Sequence, residues 1–204
     1  MNDERARMID GEPYLASNTQ LIMSRNRARD ILARLNTSRS DDPEARRSIL
    51  RELLGGIGSD LWIEPPFFCD YGSNITLGDR VYFNTNCVVL DPARVTIGSD
   101  VVFGPNVQIY TATHPLDYRE RRRGVESARA ITVGSDVWVG GGAILCPGVT
   151  IGDRSVIGAG SVVTRDIPED VVAAGNPCRI DFWTNFEEGK GVAKNSLSLS
   201  RSFR

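Results

Sequence analysis

A parallel β-helix of hexapeptide repeats, preceded by a short helical region, is the fold this sequence predicts. Three observations carry that prediction. An aliphatic residue recurs at every sixth position through the second half of the chain, Gly-Asp or Gly-Ser pairs follow the aliphatic positions, and the first quarter instead repeats near a period of 3.6.

The elements can be justified in order. Residues 1 to about 56 read as helical. Ser17 or Asn18 can cap a stretch in which Leu21, Ile22, Ile31, Leu32 and Leu35 recur on one face, and Asn36 and Ser38 end it. A second start follows at Asp41-Asp42-Pro43-Glu44, where a capping carboxylate precedes a proline at the first helical position and an acid in the first turn. Ile49, Leu50, Leu53 and Leu54 give this helix its apolar face, and Gly55-Gly56 is expected to terminate it. Two short amphipathic helices bury little alone, so they are expected to pack on the remainder of the chain.

From Asn74 to about Pro168 the repeat is six. Ile75, Val81 and Cys87 head the first hexads, the frame slips by two residues, and it resumes at Val95, Val101 and Val107. After an interruption at roughly 114 to 130, consecutive hexads begin at Ile131, Val137, Ala143, Val149, Ser155 and Ser161. Aliphatic pairs give short strands and the glycine pairs give the tight turns between them. Three strands per coil make a triangular prism whose coils stack about 4.8 Å apart. Cys69 and Cys87 lie 18 residues apart, one coil of three hexads, and are expected to stack in the core. The repeat is lost from about Asp181, and the Ser-rich ending is expected to be a flexible tail. The predicted organisation is a helical region at 1–58, a β-helix at 59–180 with a loop at 114–130, and a tail at 181–204.

Composition narrows the function classes. The chain has 204 residues, a net charge of −2 and a single histidine, His114. Nucleic-acid binding lacks its basic excess, and a zinc site needing several imidazoles from one chain is excluded. A carbonic-anhydrase-like use of the repeat fails on the same count. The opening segment has no apolar run resembling a signal peptide or membrane span, so a cytoplasmic protein without membrane attachment is expected. Cys69, Cys87, Cys146 and Cys178 lack C-x-x-C pairing and read as reduced structural thiols. Gly140-Gly141-Gly142 lies inside the repeat and is no P-loop.

Several stretches then become recognisable: Met8 to Tyr14, Glu64 to Gly72, Tyr110 to Leu116 with its His-Pro, Val137 to Gly140, Pro147 to Gly152 and Gly175 to Arg179. In this order they resemble the maltose and galactoside O-acetyltransferases, over about residues 5 to 180. The resemblance implies a left-handed β-helix, a homotrimer with active sites between neighbouring prisms, and acetyl transfer from acetyl-CoA to a sugar hydroxyl without any metal. A sugar hydroxyl is a poor nucleophile at neutral pH, so a base must take its proton, and His114 is the residue the resemblance assigns to that role.

Other positions carry over one by one. Asp70 matches an acceptor-contacting position, the reading preferred here over a turn aspartate beside Tyr71-Gly72. Asn84 matches a residue near the reacting carbonyl, where its amide could meet oxyanion charge, or it is an asparagine of a hexad turn. Asp91 is a further acceptor candidate, with Pro92 where the family has a contacting residue. Ala16 stands where the galactoside enzymes have an acceptor-binding aspartate, which leans the expected acceptor toward maltose or glucose. For the cofactor, Trp138 is placed along the pantetheine arm or seals a coil edge, and Gly141 and Ala159 leave the arm room. Thr164, Arg165 and Arg179 match the group that meets the pyrophosphate, adenine and ribose phosphate, with Phe182 in place of a second phosphate-binding arginine.

Two other readings stay open at this level. The acceptor could be another hydroxyl compound, such as an oligosaccharide or a xenobiotic, or the chain could be a non-catalytic β-helix that acts as an assembly module.

Overall fold

The computed structural model describes residues 3–184 and is a parallel β-helix with helices packed on its first coil. Strands at Gly56–Ile57, Ile75–Leu77, Val95–Ile97, Ile131–Val133 and Thr150–Ile151 form its first face. The second face stacks Trp62–Ile63, Tyr82–Phe83, Val102–Phe103, Trp138–Val139, Val156–Ile157 and Val171–Ala174, and Arg179–Trp183 adds to its end as an antiparallel strand. The third face stacks Phe67–Cys69, Cys87–Leu90, Gln108–Tyr110, Ile144–Leu145 and Val162–Val163. The solenoid therefore begins at Gly56, well before the hexad pattern becomes regular at Asn74.

Alternation within these short strands decides what is inside. Inward residues such as Ile75, Leu77, Phe83, Phe103, Val139 and Ile157 are almost fully buried in one continuous core. Phe83 stacks on Phe103 at 4.2 Å between centroids, and Phe67 meets Phe83 edge-on at 5.6 Å. At the positions of these rings later coils carry Ala143, Ser161 and Ala173, and Ser155 follows Val137 in a neighbouring row. The buried serine hydroxyls are satisfied by the carbonyls of Pro168 and Gly158.

Strand pairing shows where the coils differ in length. Steps from the first face to the second, and from the second to the third, are always six residues, as from Thr76 to Tyr82 to Val88. The step from the third face back to the first varies: eight residues from Val88 to Thr96, twenty-four from Gln108 to Thr132, six from Ile144 to Thr150. The two-residue frame slip in the sequence is this longer third corner. It also corrects the expected cysteine stacking: Cys87 pairs with Phe67 and Cys69 with Val89, because early coils are two residues longer than three hexads. Both thiols are buried nonetheless.

Helices α1 (Glu4–Ile9), α2 (Thr19–Asn36) and α3 (Pro43–Leu53) make up the N-terminal region. Asn18 caps α2 and Asp42 caps α3, through side-chain oxygens that accept backbone N–H bonds. Ile31, Leu32, Leu35, Leu50 and Leu53 join the solenoid core. The side chain of Asn36 accepts from Phe67 N at 2.9 Å and donates to Phe67 O at 3.0 Å, so it imitates the backbone of the strand that the first coil lacks. Gly55 serves differently from the expected helix terminator. A Cβ there would stand 2.3 Å from the Ser73 carbonyl oxygen, so glycine is required by the close approach of the next coil.

At the third corner Asp91 is fully buried, which corrects its reading as an acceptor contact. Its Oδ1 accepts from the amides of Asp70 at 3.0 Å and Tyr71 at 2.8 Å, and Asn74 donates to its carbonyl at 2.7 Å. Asp91 thus shapes the turn that presents Asp70. The expected tail is corrected too: Asp181, Phe182 and Trp183 continue the strand that begins at Arg179, because Phe182 and Trp183 pair with Val172 and Val171. Residues 185–204 of that tail lie outside the described residues.

Burial pushes the Asp91 carboxyl up to about 7, the nearby Asp70 charge adds to this, and the amides that donate to it oppose it. A carboxyl whose folded pKa is raised stabilises the fold fully below its unfolded value near 4, and that contribution is lost as pH rises through about 7. Melting temperature is therefore expected to fall between pH 5 and 8 in the wild type, with a much flatter profile in Asp91→Asn. Identical slopes in the two proteins would assign the pH dependence to other groups.

Candidate active site

Among the described residues the third corner is the one place where the chain leaves the prism for a long excursion, and His114 sits at its start. Ala112–Thr113 and Val125–Ala128 pair antiparallel, and Tyr14–Leu15 from the N-terminal region adds a third strand beside Val125–Ala128. The segment expected as a plain loop is therefore a ribbon anchored to the first residues of the chain. Between its strands runs a five-residue helix α4, Tyr118–Arg122, capped by Asp117.

His114 follows directly on the anchored strand and lines a cleft of about 710 Å³ with Pro13, Pro115, Glu120, Glu126 and Pro147. The Tyr14 hydroxyl donates to Glu126 Oε2 at 2.9 Å. Behind it, Arg25 donates to the Tyr71 hydroxyl and to the Ala16 carbonyl, both at 2.7 Å, and lies over the Tyr71 ring. Met8, Tyr14, Leu21 and Tyr71 form a small separate apolar cluster with Ala16 against it. The N-terminal region thus does two things: it covers the first coil, and it fixes the ribbon that carries His114.

Electrostatics at this corner are coupled. Burial raises the Asp70 carboxyl above its usual range; Arg25 opposes the shift and Glu126 adds to it. Burial, followed by the Glu126 charge, pushes the Tyr14 phenol far above its ordinary value, so it stays a donor. Tyr14, Arg25 and Glu126 escape a reading of the sequence. The alternation at 125–128 and a tyrosine isolated in a polar segment are the available signals, but their meeting depends on a contact between residues more than a hundred positions apart.

The other candidates divide between two corners. Asp70, Thr164 and Arg165 share the third corner with His114, and both Thr164 and Arg165 are exposed. Asn84, Gly141 and Ala159 stack at the second corner. There the Asn84 Oδ1 accepts from Thr85 N at 2.7 Å, and among the described residues its side-chain NH₂ has no hydrogen-bond acceptor. Successive coils touch backbone to backbone: a Cβ on Gly140 would come within 2.5 Å of the Ala159 amide nitrogen. Trp138 is 57% exposed on the second face beside Val102 and Val156, so it does not seal a coil edge. Arg179 opens the terminal antiparallel strand opposite Ala174, and one of its NH₂ groups donates to the Cys178 carbonyl.

Outer rows of the prism differ in kind. The first face presents Thr76, Thr96, Thr132 and Thr150 in register. The second presents Trp62, Tyr82, Val102, Trp138, Val156 and Val172, and the third Phe68, Val88, Gln108, Ile144 and Val162. Two adjoining faces are thus apolar outside and one is polar. All four thiols have their pKa values raised by burial, with Cys87 pushed up to about 11, so none is an activated nucleophile. Among the described residues no helix is long and apolar enough to cross a membrane.

Comparison with known proteins agrees with this architecture. Residues 7–58 match the maltose acetyltransferase hexapeptide capping motif, and residues 130–165 match the bacterial transferase hexapeptide repeat. The chain is 44% identical to the galactoside O-acetyltransferase of Escherichia coli K12 over 156 residues, 76% of this chain and 77% of that protein. The structure of a maltose O-acetyltransferase from Clostridium difficile 630 aligns with a TM-score of 0.86 at 44% identity, covering 87% of this chain and 95% of that one. A hexapeptide-repeat acetyltransferase from Vibrio cholerae, crystallised with acetyl-coenzyme A, aligns with a TM-score of 0.83 at 38% identity, covering 89% and 98%. A capping motif matched by the helical region, a repeat matched by the solenoid, and relatives aligned along most of their length make this chain a member of the maltose and galactoside O-acetyltransferase family of hexapeptide-repeat acyltransferases.

Proposed function

We propose that the protein transfers acetyl from acetyl-CoA to a hydroxyl of maltose, glucose or a related sugar, with His114 as the general base. The observation that carries this reading is the place of His114: the chain's single imidazole stands in the wall of the cleft, on the corner that also carries Asp70. In the proposed step His114 takes the acceptor proton as the hydroxyl oxygen attacks the thioester carbonyl. The C–S bond then breaks, and the imidazolium returns the proton to the departing thiolate. Direct transfer is favoured over an acyl-enzyme because every thiol is less acidic than free cysteine.

A single chain is not enough for this chemistry. Asn84 and His114 flank the third face from opposite sides, with roughly 15–20 Å of backbone between their corners, whereas proton transfer and oxyanion contacts work near 3 Å. If both act on one acetyl group, they come from two chains. The two apolar outer faces support that assembly, since a ring of copies needs two different patches that meet each other. We infer a homotrimer in which Asn84, Trp138, Gly141 and Ala159 of one chain face His114, Asp70, Thr164 and Arg165 of its neighbour. Arg179 belongs with the cofactor phosphates in this reading. The four free cysteines suit a reducing compartment such as the cytoplasm.

Purified protein with acetyl-CoA and maltose or glucose is expected to release free CoA and yield an acetylated sugar by mass. His114→Ala should reduce that rate by about 10²- to 10⁴-fold with an unchanged oligomer size. Full turnover in the alanine variant would remove His114 from the mechanism, and acetylation of no sugar at all would favour a non-catalytic assembly role.

A further inference from the structure

We infer that the His114 cleft contains an anion subsite made by Arg123 and Arg129, so that among sugars related to maltose and glucose those carrying a phosphate or carboxylate group are the preferred acceptors. This rests on the acetyl-transfer reading above and adds to it the charge class of the acceptor. The ribbon carries five arginines, and three have other work. Arg119 and Arg122 lie over the Tyr118 ring at 5.5 and 5.0 Å, and Arg121 donates to the carbonyls of Pro115 and Leu116. Arg123 and Arg129 instead line the cleft beside His114. Among the described residues neither guanidinium enters an ion pair.

Arg129 leaves the ribbon beside Gly148: its backbone N–H donates to Thr111 O at 2.9 Å, and a Cβ on Gly148, which has φ +88, would come within 3.1 Å of the arginine stem. Two carboxylates also line the cleft, Glu120 and the Glu126 that accepts from Tyr14, so the formal charge of the lining is zero and an anion would be held by the paired N–H groups of the arginines and not by a net positive field. Two cations without ion-pair partners beside the proposed base match an acceptor with a planar or tetrahedral anion, which arginine binds through paired N–H bonds. The anion takes no part in the transfer and leaves with the acetylated product.

The test compares glucose, glucose 6-phosphate and glucuronate as acceptors at fixed acetyl-CoA. The anionic sugars are expected to exceed glucose in kcat/KM by roughly ten- to a hundredfold, and that ratio should collapse toward one in the Arg123→Ala/Arg129→Ala double variant. A wild-type ratio near one overturns the proposal. So does a double variant that keeps the ratio while its KM for acetyl-CoA rises, because the arginines would then serve the cofactor phosphates. Turnover with none of the sugars overturns the sugar reading and the subsite together, a result distinct from turnover without charge preference.

Discussion

Register between coils governs this molecule. Each short strand is held by the strands above and below it, so a residue inserted within a face or at the first or second corner would shift every later side chain between core and surface. Those two corners accordingly keep six-residue steps throughout. Among the described residues only the third corner varies, and the extra chain it takes up forms the Asp91-braced turn that presents Asp70 and the ribbon that carries His114. The one freedom in an otherwise rigid repeat is thus used at one place.

The same constraint explains the role of the N-terminal region. A solenoid has exposed ends, and the helices cover one of them, with Asn36 completing the backbone pairing of Phe67. The segment that begins this cover also reaches the third corner, where Tyr14 pairs with Glu126 and Arg25 holds Tyr71. Removing the helical region would therefore expose core and also free the ribbon. Stability and the geometry of the candidate site share these residues.

Much of this is legible in the sequence, for identifiable reasons. Period-six patterning exposes the prism because each strand is local and its turn is chemically marked by glycine. The caps at Asn18 and Asp42 are readable for the same reason, since a cap acts on residues two or three positions away. Sequence patterns mislead where distant segments meet. Counting hexads matches Cys69 with Cys87, whereas the longer third corner pairs Cys69 with Val89. Asp91 reads as a ligand because a carboxylate beside a turn is ambiguous until its burial is known. Glu126 and Tyr14 carry no mark in the sequence, since their hydrogen bond joins residues more than half the chain apart.

Central to the proposed chemistry is the division of the candidate residues between two corners that a single chain holds apart. The direct measurement is complementation between two inactive variants, His114→Ala and Asn84→Ala, dissociated, mixed in equal amounts and reassembled. If each active centre combines His114 of one chain with Asn84 of its neighbour, random mixing restores intact sites and should return about a quarter of wild-type activity. Activity that stays at the level of the separate variants, in mixtures shown to contain both chains in one oligomer, would contradict a centre shared between subunits.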